Sequence, residues 1–395
     1  MKLLSVIVSM DPASGGPAQG IRNNVPFWKQ QGIVPSILSF DAPNAFFLEK
    51  DLGIGIGPVK NPWAYVPNGM HWFLSHLEDY DVVLIHGLWL YNGYAVTKAI
   101  KQLKRLGKQT PKVFVMPHGM LDPYFQKAPE RRLKALRNVI YWHLIEKEVI
   151  NSVDGVLFTC EEEMQLAATT FGGYQPKATY NVGYGIIPPP LFSDEQKAAF
   201  YDKCPAIINR PYFLFLSRIH PKKGVDMLLT AYASLVDDST KRGELVPDLV
   251  IAGPGMDTEY GEELKNLEAQ YPQLADKVHY PGMLQGAAKW GALYGAALFV
   301  LPSHQENFGI AIVEAMACNT PVLITKRVNI WQEIAQGKGG IITEDNIPSL
   351  IDGFKQWMGM NQEAQQLMGA KAYTTFYSHF TAEATSKKFT EVISR

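Results

Sequence analysis

Short, nearly continuous apolar runs alternate with amphipathic stretches along the chain. In the first half they read LLSVIVS, PSILSF, DVVLIHG, KVFVMPHG and GVLFTC; in the second, YFLFLSR, DLVIAGP, KVHYPG, ALFVLPS and PVLIT. Apolar runs of about four to eight residues without polar alternation read as strands covered on both faces, and helical stretches between them imply parallel pairing. YAVTKAIKQLKRLGK is one such helix, closing at Gly107, the glycine that a left-handed C-terminal cap favours. The pattern restarts at Tyr212 after IIPPPLFSDEQKAAFYDKCPAIINRP, whose three consecutive prolines read as a linker with a short helix. The expectation is an α/β protein of two doubly wound, Rossmann-like domains facing a central cleft. The first spans 1–190. Residues 191–375 hold the linker and the second domain, and 376–395 a C-terminal helix packing back on the first.

A chain of 395 residues with 47% hydrophobic and 19% charged residues can fill two such cores. A formal net charge of −1 argues against a general nucleic-acid binder. Cys160, Cys204 and Cys318 are odd in number and far apart, which points to a reducing compartment without a disulfide framework. No apolar run reaches the ~20 residues of a membrane span. MKLLSVIVSM leads straight into Asp11 without a small-residue cleavage site, so it is read as the first strand of a cytoplasmic protein.

Ligands of doubly wound sheets sit at the carboxyl ends of the strands. There the first half carries SGGPAQG, His86-Gly87 and His118-Gly119, and the second SRIHPKKG, GPGMD, PGMLQG and PSHQENFG. Glycines and cations at several strand ends point to one phosphate-bearing ligand. Arg218 ends a strand, and Lys223 follows just before Gly224 and a helix. Arginine can bind a diphosphate bidentately while lysine adds a point charge. HQENFGIAIVEAM places Glu306 in a strand-to-helix turn and Glu314 about a turn and a half into the helix. The amides of Asn307, Phe308 and Gly309 stand at that helix start, where the dipole favours an anion. Two carboxylates at different depths suit two sets of hydroxyls, one on a sugar and one on a ribose.

Taken together, SRIHPKKG and PSHQENFGIAIVEAMACNTPVLIT resemble glycosyltransferase family 4, the retaining GT-B enzymes, with its Arg, Lys and Glu-x7-Glu in that order. SGGPAQGI resembles the family's glycine-rich acceptor loop and MPHGMLDPYF its His-Gly turn. HGMLDP followed by a basic helix is similar to bacterial transferases of exopolysaccharide or envelope polysaccharide synthesis. The resemblance implies an N-terminal acceptor-binding domain and a C-terminal nucleotide-sugar domain. It gives Arg218 and Lys223 to the donor diphosphate, and Glu306 with the Asn307, Phe308 and Gly309 amides to the transferred sugar. Glu314 takes the ribose, and His118 stands near the anomeric carbon. Gly15 and Gly16 allow close approach to the diphosphate, and Gly282, Met283 and Leu284 read the base. The implied reaction transfers a hexose from a nucleotide sugar to a saccharide hydroxyl with retention, by default glucose from UDP-glucose, with no cofactor and no metal. The sequence departs from the family at NVGYGII, where many relatives have Pro-Asn-Gly-Val-Asp, which leaves the contacts between domains unassigned.

Rival readings are weaker. A dehydrogenase would need G-x-G-x-x-G after the first strand, and SGGPAQG lacks that spacing; Asp41 is read as a strand-end turn residue. A nucleotide-sugar epimerase and a non-catalytic sugar-nucleotide binder remain the alternatives. His304-x-Glu306 begins like a zinc deaminase, but no Pro-Cys-x-x-Cys follows. Asp79-Tyr80-Asp81 stands at the amino end of a strand, away from the expected site.

Between Lys98 and Arg137 eleven lysines or arginines face only Asp122 and Glu130, a net +9 in a nearly neutral chain. PERRLKALRNVIYWHLI places Leu133, Leu136, Ile140 and Leu144 on one helical stripe, with Arg131, Lys134 and Arg137 off it. The first expectation is a stripe packed on the sheet with the cations as a solvated face. The alternative is a peripheral enzyme at the inner face of an anionic membrane, acting on a lipid-diphosphate-linked sugar.

Overall fold

The structure is a computed structural model that describes residues 1–59, 61–128 and 131–395; Glu130 of the basic segment lies outside these. The chain divides into two compact units, one of Met1–Gly185 with Ala382–Arg395 and one of Ile186–Thr381.

Unit 1 is built on a seven-stranded parallel sheet. Its strands are β1 (Lys2–Ile7), β2 (Val34–Ser39), β3 (Gly53–Gly55), β4 (Val82–His86), β5 (Lys112–Met116), β6 (Gly155–Phe158) and β7 (Thr179–Asn181), in the order β3-β2-β1-β4-β5-β6-β7. Successive side chains of a strand point to opposite faces, and both faces are covered here. Leu4, Val6, Val83, Ile85, Val113 and Val115 enter one core with Trp142 and Ile150. Leu3, Ile7, Val82, Leu84 and Phe114 enter the other with Trp28, Phe389 and Ile393. This two-sided burial is why the strands read as unbroken apolar runs. Phe389 and Ile393 belong to the helix Ala382–Ser394, which lies on the helix Gly16–Gln30. There Trp28 and Phe389 pack with ring centroids 5.1 Å apart, and Ser386 Oγ donates to Asn24 Oδ1 at 2.7 Å. Each large side chain buried in this way contributes about 1.5–3 kcal/mol.

Unit 2 carries six parallel strands, β8 (Tyr212–Leu216), β9 (Asp248–Ala252), β10 (Val278–Gly282), β11 (Leu298–Leu301), β12 (Val322–Thr325) and β13 (Gly340–Thr343), in the order β10-β9-β8-β11-β12-β13. In both sheets the strand order reverses beside the first strand of the unit, at β1/β4 and at β8/β11. Such a reversal opens a crevice at the carboxyl ends.

The stretch after the prolines carries the short helix expected of it. Its helix Asp194–Lys203 has a full capping box, in which Ser193 Oγ accepts from the Gln196 amide and Gln196 Oε1 from the Ser193 amide. It packs so closely on the helix Gly286–Gly295 that a Cβ on Gly291 would meet the Gln196 carbonyl at 2.0 Å. The unit boundaries fall at Gly185/Ile186 and Thr381/Ala382, a few residues from those expected. One expectation needs correction, that of the apolar stripe: it is not packed on the sheet. Leu133, Leu136, Ile140 and Leu144 are 86, 60, 53 and 74% exposed. The helix Arg132–Tyr141 and the π-helical turn Trp142–Glu146 that continues it bury Asn138, Trp142 and Glu146 instead. The inward face therefore carries an amide, an indole and a carboxyl, and the outward face the leucines.

Candidate active site

In unit 2 the crevice between β8 and β11 gathers the cations and Glu306. β8 runs out into Ser217 and Arg218, and the short turn Pro221–Lys223 leads through Gly224 to the helix Val225–Arg242. Gly224 has φ +65°, and a Cβ there would lie 2.3 Å from the Pro302 carbonyl beyond β11. Only glycine lets the two strand-end loops come this close. The Lys223 ammonium bonds the Glu306 carboxylate, and both side chains are largely shielded. Arg218 is exposed and makes no ion pair among the described residues. The loop after β9 is pressed onto the same place: Gly253 has φ +145°, and its Cβ would sit 1.8 Å from the Ser217 carbonyl.

Glu306 is fixed at its backbone. Its amide donates to Arg327 O and its carbonyl accepts from the Asn329 amide, both at 2.9 Å. Asn329 Nδ2 reaches Asn307 Oδ1 at 3.4 Å. Phe308 is buried against Phe380, centroids 5.6 Å apart. Gly309, at φ +78°, caps the helix Ile310–Ala317. From that helix Glu314 meets Lys289 of the helix Gly286–Gly295, Nζ to Oε1 2.8 Å. Gly282 ends β10 at φ +74° with open space where a Cβ would stand, followed by exposed Met283 and buried Leu284. His304 Nδ1 lies 2.6 Å from Asp345 Oδ1, and this bond holds the imidazole pKa above its ordinary value.

In unit 1, Gly15 sits at φ +89° before the helix Gly16–Gln30, with nothing within reach of a Cβ. The Gly16 carbonyl accepts from Tyr184 Oη at 2.6 Å. Asp41 is more than a turn residue: its carboxylate accepts from Ser9 Oγ and from the Met10 amide, both at 2.8 Å, and so ties down the loop after β1. His118 follows β5 at φ +52°, a left-handed conformation that costs a non-glycine residue of order 1–3 kcal/mol. The next amide, that of Gly119, donates to Glu163 Oε1 at 2.5 Å, and Glu163 Oε2 accepts from the Thr159 amide at 2.8 Å and from its hydroxyl. This buried carboxylate is the strut that holds the turn. His118 Nε2 lies 3.0 Å from His86 Nδ1, with the rings stacked at 16°. Burial pulls His118 down to about 4, and burial together with His118 pulls His86 well below its usual range. Both rings are neutral at pH 7.

The structure brings Arg218, Lys223 and Glu306 to the strand ends of unit 2, with Glu314 on the helix that follows Glu306; Gly15, Gly16 and His118 stand at the strand ends of unit 1. Sequence reasoning missed Lys289, Glu163 and the partner role of His86. Glu163 had a signal, three successive acids opening a helix after a strand. Lys289 had none, because its partner lies 25 residues away. Among the described residues no three His, Cys, Asp or Glu side chains gather as metal ligands would.

A family model described as Glycosyl transferases group 1 matches residues 202–375. A D-inositol 3-phosphate glycosyltransferase of Streptomyces bingchenggensis is 27% identical over 52% of this chain and 45% of its own length. The chain spans about half the length of the curated relatives it matches. Among solved structures, a glycosyltransferase from Rickettsia africae superposes with a TM-score of 0.74 at 18% identity, covering 100% of this chain and 97% of that one. HepE of Anabaena in complex with UDP-glucose superposes with a TM-score of 0.71 at 16% identity, covering 100% and 99%. Residues 202–375 match the Glycosyl transferases group 1 model, and the two parallel-sheet units match the fold of the GT-B glycosyltransferases.

Proposed function

We propose that the chain is a retaining hexosyltransferase of family 4 type. It moves a sugar, by default glucose, from a nucleotide-diphosphate sugar, by default UDP-glucose, to a hydroxyl of a saccharide acceptor in polysaccharide synthesis. The observation that carries this reading is the Lys223–Glu306 contact at the β8/β11 crevice, inside the matched segment and beside exposed Arg218. The Glu306 carboxylate orients the Lys223 ammonium. When the diphosphate arrives, Lys223 and Arg218 turn to its oxygens and Glu306 accepts hydroxyls of the transferred sugar. Lys289 and Glu314 are arranged in the same way: the ammonium orients the carboxylate that receives the ribose hydroxyls. Gly282, Met283 and Leu284 stand beside the base.

In this reaction the glycosidic oxygen–carbon bond to the diphosphate breaks, and the acceptor oxygen bonds to the anomeric carbon on the same face. The departing phosphate oxygen takes the acceptor proton. Charge grows on the diphosphate as that bond breaks, so preoriented cations lower the barrier more than they tighten substrate binding. Neutral His118 has its Nδ1 left for a sugar hydroxyl, since Nε2 is engaged by His86. The acceptor in this reading is lipid-diphosphate-linked, and the enzyme works in peripheral contact with the inner face of an anionic membrane.

A thermal-shift panel of nucleotide sugars tests the donor assignment. A ligand in excess over its Kd raises stability by RT ln(1 + [L]/Kd), so one sugar nucleotide stands out, UDP-glucose by default. Melting temperatures unmoved by every sugar nucleotide at millimolar concentration overturn the reading.

A further inference from the structure

The outward face of the helix Arg132–Tyr141 and the turn after it is an exposed apolar feature of unit 1. Leu133, Leu136, Ile140 and Leu144 recur at intervals of three and four, so they form one ridge along the helix. None of them is needed by the core, which Asn138, Trp142 and Glu146 face from the opposite side. The ridge has an aromatic flank: Trp63 and Tyr65 are about half exposed, and Trp63 stacks on Tyr141 with centroids 5.4 Å apart and planes within 9°. It also has a cationic one. Arg131, Arg132, Lys134 and Arg137 lie along it, and no acid occurs from Arg131 to Ile145. The Arg131 guanidinium stands 4.7 Å over the Phe125 ring and that of Arg137 5.9 Å from Trp63. On the C-terminal side Glu146 is buried and Glu148, the next acid, is bonded to Lys101; on the N-terminal side Glu130 adjoins Arg131 in sequence and lies outside the described residues.

We infer that this ridge is a membrane-docking surface, with the leucines in the acyl boundary, Trp63 and Tyr65 at headgroup level and the arginines on anionic headgroups. Charge decides the occupant. A two-fold contact between copies would press like cations together with no acid between Arg131 and Ile145 to offset them, whereas an anionic bilayer neutralises every cation and receives the apolar ridge. Tryptophan and tyrosine are the side chains that interfaces favour. The inference deepens the proposed function by naming the surface behind its membrane contact, and it can be tested without donor or acceptor.

The test is flotation of the full chain with phosphatidylcholine vesicles, with and without phosphatidylglycerol. The expected result is co-flotation with the anionic vesicles at low salt, weakening steeply as salt rises and absent for phosphatidylcholine alone. L133S/L136S/L144S and R132S/K134S/R137S each lower the bound fraction by about tenfold or more. Both triples alter exposed side chains, so their melting temperatures stay at the wild-type value and misfolding is ruled out as the cause. No flotation at low salt, or undiminished flotation of either triple variant, overturns the inference. Self-association that the leucine triple abolishes, without vesicle binding, assigns the ridge to a second copy and also overturns it. Thermal shift by the donor, measured on the same triples, fails only if the glycosyltransferase reading is wrong.

Discussion

Lys289 on one helix and Glu314 on the next form an ion pair, Nζ to Oε1 2.8 Å, with the lysine also 4.0 Å from the Trp290 ring centroid. The pair is partly shielded and does not bridge distant parts of the core, so its contribution to stability is small, about 1 kcal/mol or less. Its expected role is to hold the carboxylate at one angle. Glu314→Gln therefore raises KM for the nucleotide sugar by about tenfold and leaves kcat nearly unchanged, and Lys289→Met does the same more weakly. Steady-state kinetics over a donor series checks the split; an effect confined to kcat moves Glu314 to the reacting sugar.

Lys223 and Glu306 behave differently. Lys223→Ala lowers kcat by roughly 100-fold or more with the melting temperature nearly unchanged, as removal of a charge-stabilising donor does. Glu306→Gln falls mainly on kcat as well. Near-normal turnover in either variant removes the pair from the chemistry.

Activity is expected to survive EDTA. In the proposed reaction Arg218 and Lys223 would supply two positive charges to the donor diphosphate, the work that a divalent ion does elsewhere. Activity lost to the chelator and restored by Mg²⁺ or Mn²⁺ contradicts this.

His118 sets an acid limit. Its pKa is depressed to about 4 by burial, so the ring is uncharged at pH 5 and above. The kcat/KM profile accordingly has no acid limb near 6.5 from this residue. A depressed imidazole stabilises the fold above its unfolded value near 6.5, and that contribution is lost as pH falls towards 4. Unfolding of wild type and His118→Phe between pH 4 and 7 measures it, the variant having the shallower slope.

Glu146 has the opposite sign. Burial lifts its carboxyl from an ordinary value near 4.5 to about 8, opposed by the Trp89 amide, which donates to Oε2 at 3.1 Å. The folded chain keeps this proton where the unfolded chain has lost it. The resulting stability is full below pH 4.5 and is lost as pH rises through 8. Glu146→Gln removes that slope, so its melting temperature relative to wild type rises between pH 5 and 8. Parallel curves for the two proteins would mean that the carboxyl is ionised in the fold.

Much of this architecture is legible in the sequence because parallel strands buried on both faces write themselves as apolar runs. What escaped is short or non-local. β3, β7 and β13 have three or four residues each and lie at sheet edges or beside them, too brief for period-two patterning to register. The strand-end motifs located Arg218, Lys223 and Glu306, since the fold dictates where strand ends meet. Lys289 and Glu163 act across sequence gaps that no local pattern spans. The ridge from Leu133 to Leu144 misled for a different reason. Periodicity marks which residues share a face, but not which way the face points, and here Asn138 and Glu146 took the inward side.

The chain leaves unit 1 at Gly185 and returns to it at Ala382. Unit 2 is therefore an insertion, and the order of synthesis follows from that. Emerging from the ribosome, unit 2 has all of its strands before the helix Ala382–Ser394 exists, while unit 1 waits with Trp28 uncovered until Phe389 arrives. The unit translated first is thus the last to complete its core, and for the length of the insertion its unfinished apolar side is open to chaperones or to aggregation.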